Sequence, residues 1–167
     1  MNEPIMNVKM FFSLLFLLSV TTVQANSQKF SFDKSAFYAA MASDNLSEIN
    51  EQLTIVKATP INEKEAYEGA LLMKKAGLVT KAKEKLSLFK AGRIKLEAAI
   101  KKESGNTEYY FLRLIIQEHA PKIVKYRDEL ESDSSLIRSN YKNLSPVVQK
   151  AITEYSKKSK FLKSLQP

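Results

Sequence analysis

From Asp33 onward, apolar residues recur at spacings of three and four, the repeat of helices with one buried side. A first short helix follows Asp33, whose carboxylate can cap SAFYAAMA. The next begins after Ser43-Asp44 and reads LSEINEQLTIVKA, with Leu46, Ile49, Leu53 and Val56 on one stripe; Thr59-Pro60 ends it. Asn62 stands three residues before Glu65, the spacing of a capping box. The helix it opens carries Ala66, Tyr67, Ala70, Leu71 and Met73 and stops at Gly77. Thr80 is placed to cap the longest helix, whose stripe is Leu86, Phe89, Leu96, Ala99 and Ile100.

Gly105-Asn106 closes that helix, and Thr107 starts EYYFLRLIIQEHA. Here Phe111, Leu112, Leu114, Ile115 and Ile116 cover nearly the full circumference, which predicts a position at the centre of the fold. Pro121 interrupts it. KIVKYRDELE is predicted as a further helix, and Asp133 with two serines restarts the chain into LIRSNYKNL. Ser145-Pro146 opens the last helix, with Val148, Ile152, Tyr155 and Leu162 on one face and lysines on the other. No stretch alternates as a strand would. The expected fold is all-α: a helical bundle or short α-solenoid of seven to eight helices.

The N-terminal segment follows different rules. Met10 to Val20 reads MFFSLLFLLSV, preceded by Lys9 and followed by Thr21-Thr22-Val23-Gln24-Ala25. A positive n-region, a short apolar run and a small-residue cleavage site together predict a secretory signal peptide over residues 1–25, cleaved after Ala25. The run is about half the ~20 residues of a membrane span, so it reads as an export signal and not as an anchor. Residues 26–167 are then expected as a single helical domain without a transmembrane span. The chain has no cysteine, which excludes a cysteine-linked lipid anchor and disulfides. At about 140 residues the mature chain is long enough to hold itself together by burial alone. The expected location is a bacterial periplasm or the cell exterior.

Charge adds one more feature. Lys and Arg number 26 against 18 Asp and Glu, a net +8. Lys74 to Lys102 holds ten basic residues against Glu84 and Glu97, and Arg138 to Lys163 holds seven against Glu154. Lys81, Lys85, Lys95 and Lys102, with Lys157, Lys158, Lys160 and Lys163, are candidates for binding anionic envelope lipid or polysaccharide. Arginine and aromatic interleaving is sparse, and an exported chain seldom meets nucleic acid, so nucleic acid is not an expected partner.

Candidate chemistry is thin. His119 is the sole histidine, and zinc would need three carboxylates beside it; a capping or surface histidine next to Pro121 is the simpler reading. Arg113, inside the apolar helix, needs an acidic partner, either Glu118 or the Asp128-Glu129-Glu131-Asp133 cluster. That cluster lacks the glycine and ligand spacing of a calcium loop and reads as a solvated helix end. Asn45-Leu46-Ser47 and Asn143-Leu144-Ser145 match the glycosylation pattern but sit at expected helix boundaries, where capping accounts for them. No nucleophile motif, phosphate loop or metalloprotease helix occurs, and no cofactor is indicated.

The stretch GRIKLEAAIKKESGNTE, Gly92 to Glu108, resembles the second helix and inter-repeat turn of a tetratricopeptide repeat. The matching positions are Gly92, Leu96, Ala99-Ile100 and the turn Ser104-Gly105-Asn106, with Ser104 where the family has proline. The resemblance covers one to one and a half repeats. It implies a protein- or peptide-binding scaffold, in which Glu108, Phe111, Ile115 and Glu118 would line the concave face. Two of those four are large and apolar, so later helices are expected to cover that face. The mature chain also resembles an uncharacterised family of exported bacterial helical proteins, which implies a helical fold and no particular activity. The expectation is a non-enzymatic helical interaction module with a protein or peptide partner; the alternative is a basic-surface binder of anionic envelope lipid or polysaccharide.

Overall fold

Local caps set several of the helix starts. Asp33 accepts a hydrogen bond from the Ser35 amide at 2.8 Å and opens α1, Lys34–Ala42. Asn45 does the same from the Ser47 amide at 2.9 Å and opens α2, Leu46–Ala58. Asn106 caps α5, Thr107–His119, through the Glu108 amide. The remaining helices are α3 (Lys64–Leu78), α4 (Ala82–Lys102), α6 (Leu130–Asn140) and α7 (Pro146–Ser156), the last with proline in its first turn. Single-turn 3-10 helices lie at Lys122–Val124 and Tyr141–Asn143. This computed structural model describes Met1 and residues 31–163; the expected signal peptide 1–25 and its cleavage site at Ala25 lie outside the described residues. The fold is all-helical, as the sequence pattern predicts.

Helix α5 is the axis of the core. Every residue from Thr107 to Gln117 except Tyr110 is buried, and Phe111, Leu112 and Leu114 are fully so. A single apolar cluster joins it to α1, α2, α3, α6 and α7. Aromatic rings carry the contact outward: Tyr38 of α1 lies 5.8 Å from Phe111, and Phe111 lies 5.9 Å from Tyr155 of α7. The face bearing Phe111 and Ile115 is therefore closed, by the first helix as well as by the last.

The most extensive helix pair is α3 with α4, and glycine sets its spacing. A Cβ on Gly92 would stand 2.5 Å from the Gly69 carbonyl oxygen, and one on Gly69 would stand 2.7 Å from both the Gly92 carbonyl oxygen and the Leu96 amide nitrogen. Backbone meets backbone at this crossing, and no larger residue fits. Leu96, Ala99 and Ile100 continue the buried side of α4 below it.

Several boundaries depart from the sequence pattern. Asn62 does not cap α3: Glu63 stands at the cap position without a side-chain bond, and Glu65 turns to Lys95 at 2.8 Å instead of reaching back. Gly77 does not stop α3, which ends at Leu78. Lys81, and not Thr80, occupies the cap position of α4. KIVKYRDELE is not one α-helix: Lys122–Val124 is a single 3-10 turn, and only Leu130 and Glu131 belong to α6. Lys125 takes a left-handed conformation (φ 47°), and Tyr126 turns inward, 5.7 Å from Phe89. Asp133 lies inside α6 and does not start it. Leu162 is fully buried but sits beyond α7, in a terminal segment tucked back by Ser159, whose hydroxyl accepts from the Phe161 and Leu162 amides, and by Arg138, which donates to the Phe161 carbonyl.

Candidate functional site

Two buried polar clusters come first, because unsatisfied buried groups are where a ligand would be sought. Glu108 is 6% exposed, and its Oε1 accepts from the hydroxyls of Tyr38 (2.8 Å) and Tyr67 (2.9 Å) while Oε2 pairs with Lys34 (2.8 Å). Burial first, and then the Glu108 charge, raises both phenol pKa values, so the hydroxyls stay protonated and keep donating. In the second cluster Arg113 donates to both oxygens of Asp133 at 2.7 and 2.8 Å and to Glu97 at 3.0 Å. Tyr126 closes this network on the other oxygen of Glu97. The expected partner for Arg113 is thus found in the acidic cluster. Asp133 is only 1% exposed, which corrects its reading as part of a solvated helix end, while Asp128 and Glu131 of the same cluster are exposed. Burial raises the Asp133 pKa even against the guanidinium. Both clusters hold helices together: every charged oxygen named has a donor.

His119 is exposed, as expected, and its Nδ1 donates to the Ile115 carbonyl at 2.9 Å. Among the described residues no group of three or more His, Asp or Glu side chains could hold a metal ion. Two depressions, of about 340 and 110 Å³, open to solvent beside Thr107 and Tyr109 respectively. They gather mainly amide and small side chains around Gly105, and a mixed set around Ala99.

The outer face of α4 is different. Lys83, Ser87, Lys90, Ile94 and Lys101, at spacings of four, three, four and seven, form one exposed stripe opposite Gly92. Ile94 is 70% exposed, and Leu86, at the stripe's edge, is 49% exposed although the apolar pattern assigns it to the core. The reason is length: α4 has 21 residues against 15 in α3. Among the described residues, Lys83, Lys90 and Lys101 form no ion pair. Along the neighbouring row of the same helix, Phe89 and Arg93 hold Tyr126, the guanidinium 4.6 Å from the ring centroid. They fix the 121–129 loop against α4, and its tip presents Ile123, 88% exposed, between the exposed Lys122 and Lys125.

The lysines singled out from the sequence fare unevenly. Lys81, Lys85 and Lys102 are exposed, but Lys95 is half-buried and engaged by Glu65 and Glu68 of α3, whose bonds raise its pKa. At the C-terminus Lys157 pairs with Glu154 at 2.6 Å, Lys158 lies over the Tyr155 ring, and Lys160 and Lys163 are exposed. Lys83, Lys90 and Lys101, which the helical offset from Gly92 places on the outer face, are not among those eight lysines. Among the described residues no helix is long and apolar enough to cross a membrane. No protein-family model, curated protein or solved structure matches the chain.

Proposed function

We propose that the chain is an exported, non-enzymatic helical interaction module whose contact surface is the outer face of α4. The single observation that carries this reading is the exposed stripe itself, in which Ile94 stands 70% exposed beside Lys83, Lys90 and Lys101, which form no ion pair among the described residues. An exposed aliphatic group beside unpaired cations offers charge complementarity, with a little apolar area, to a partner of negative charge. The closed face of Phe111 and Ile115 supports the same choice, because a concave groove of the repeat type would need that face open. The buried carboxylates of Glu108 and Asp133 are held by tyrosine, lysine and arginine, which supports reading them as packing groups. The leader-like segment and the cysteine-free composition support export to the periplasm or cell exterior.

A photo-crosslinking residue introduced at Ile94, compared with one at the exposed Glu51 of α2, tests the reading in cells expressing the full chain. Adducts to envelope components from position 94 and not from position 51 are expected. Equal labelling from both positions, or none from either, refutes it.

A further inference from the structure

From this reading of the α4 face, which the inference rests on, we infer that the partner is an anionic lipid surface, met by shallow insertion of Leu86, Ile94 and Ile123. Three observations lead there. The aliphatic groups are single tips, not a patch: each is large, exposed by about half or more, and neighboured by lysine. A protein interface needs a desolvated apolar centre with charge kept to the rim, whereas here cations separate the apolar groups. Lipid headgroups accept that mixture, since lysine stems lie along the boundary while the ammonium stays with phosphate and the aliphatic tip enters the acyl edge.

The second observation is shape. The stripe lies on the outer side of a helix about 31 Å long, and the loop carrying Ile123 is fixed to the adjoining row through Tyr126. An exposed helix side of that length lies along a lipid surface without needing a complementary groove. The third is charge: Lys83, Lys90, Lys101, Lys122 and Lys125 are exposed, and Glu97, on the bordering row, is already held by Arg113 and Tyr126. An anionic polysaccharide would satisfy the cations but leave the aliphatic tips in water; only a lipid surface uses both.

The test uses the purified protein and vesicles of phosphatidylglycerol with phosphatidylcholine, against phosphatidylcholine alone. Binding to the anionic vesicles, weakened by salt, is expected, with little to the neutral ones. Ile94→Asp and Ile123→Asp each lower vesicle affinity about tenfold, while the helical circular dichroism is unchanged because both side chains are in water. The chain has no tryptophan, so Ile94→Trp is a sole reporter, and its emission shifts to the blue on the anionic vesicles and not on dextran sulfate. If both aspartate variants bind anionic vesicles as the parent does, attraction is by charge alone and the inference is overturned, with the α4 reading left standing. If the parent fails to bind vesicles while position 94 still crosslinks to an envelope protein, the partner is a protein and the inference falls, again without the reading. Loss of both signals removes both.

Discussion

Replacing Gly92 by alanine tests the packing that fixes everything on α4. The added Cβ would lie 2.5 Å from the Gly69 carbonyl oxygen, 2.7 Å from Met73 Cγ and 3.0 Å from Leu72 Cβ. Met73 can swing aside, but the carbonyl belongs to the backbone of α3, so the two helices must separate by several tenths of an ångström. Overpacking of this kind costs about 1–3 kcal/mol, with the backbone contact placing it toward the upper end. Alanine returns up to about 1 kcal/mol through its better helix propensity. The expected net loss is about 2 kcal/mol, read as a lower urea midpoint in unfolding followed by circular dichroism. Gly77→Ala is the internal control: it lies in α3, the partner helix, it is exposed, and its Cβ would meet nothing within 4 Å. Its expected effect is a gain of about 0.5–1 kcal/mol. Gly69→Ala and Gly92→Ala together lose less than the sum of the two, since the first already opens the crossing. A Gly92→Ala protein as stable as the parent refutes the close approach of α3 and α4.

Other outcomes follow from the buried clusters and from the proposed export signal. Arg113→Met leaves Asp133 buried without its counter-charge and costs about 3–5 kcal/mol in denaturant unfolding at neutral pH. Because burial already holds the Asp133 pKa above its ordinary value, the folded state keeps the proton more readily than the unfolded chain. The contribution of that proton is present below about pH 4 and is lost as pH rises through the folded value, so Arg113→Met is more stable in acid than at neutrality. Tyr67→Phe removes one of the two hydroxyl donors to Glu108 Oε1 and costs about 1.5–3 kcal/mol by the same measurement. The phenols of Tyr38, Tyr67, Tyr126 and Tyr155 are raised chiefly by burial, so their stabilisation is full below about pH 10 and is lost above it. Tyrosinate absorbance from these four is expected to rise together with unfolding and not before it. Mass spectrometry of the native protein is expected to find a mature N-terminus at Asn26.

What could be read in the sequence divides by range. Helix α5 was legible because its apolar residues leave no polar side, and Asp33 bonds to an amide two positions away, with no help from elsewhere. Ser145-Pro146 marks a start for a similarly local reason, the fixed backbone of proline. The Asn62 capping box failed because the outcome was decided by a distant residue: Glu65 finds Lys95, thirty positions on, a stronger partner than a backbone amide. The segment from Lys122 to Glu129 failed likewise. Its apolar spacing suits a helix, yet Tyr126 gains a ring contact with Phe89, a guanidinium from Arg93 and a bond to Glu97, all on α4. Asp133 looked like one acid among four, and only the position of Arg113 distinguishes it.

The outward lysines of α4 were not legible from the sequence for a related reason, and the missing information was one angle. Counting lysines selects segments, but a helix turns about 100° per residue, so which lysines face outward depends on its rotation. Gly92 supplies that rotation, because the approach to Gly69 allows no side chain there. Residues two and nine positions from Gly92 lie about half a turn away from it, and these are Lys90, Ile94, Lys83 and Lys101. Lys81 and Lys85, eleven and seven positions away, fall on the same side as Gly92 and are exposed because the first turns of α4 lie beyond the deeply packed crossing. Lys95, about 60° round from Gly92, is drawn to the α3 carboxylates. A single glycine therefore both sets the spacing of α3 and α4 and decides which cations remain free to meet a partner, so the packing of the pair and the make-up of the outer face have one cause.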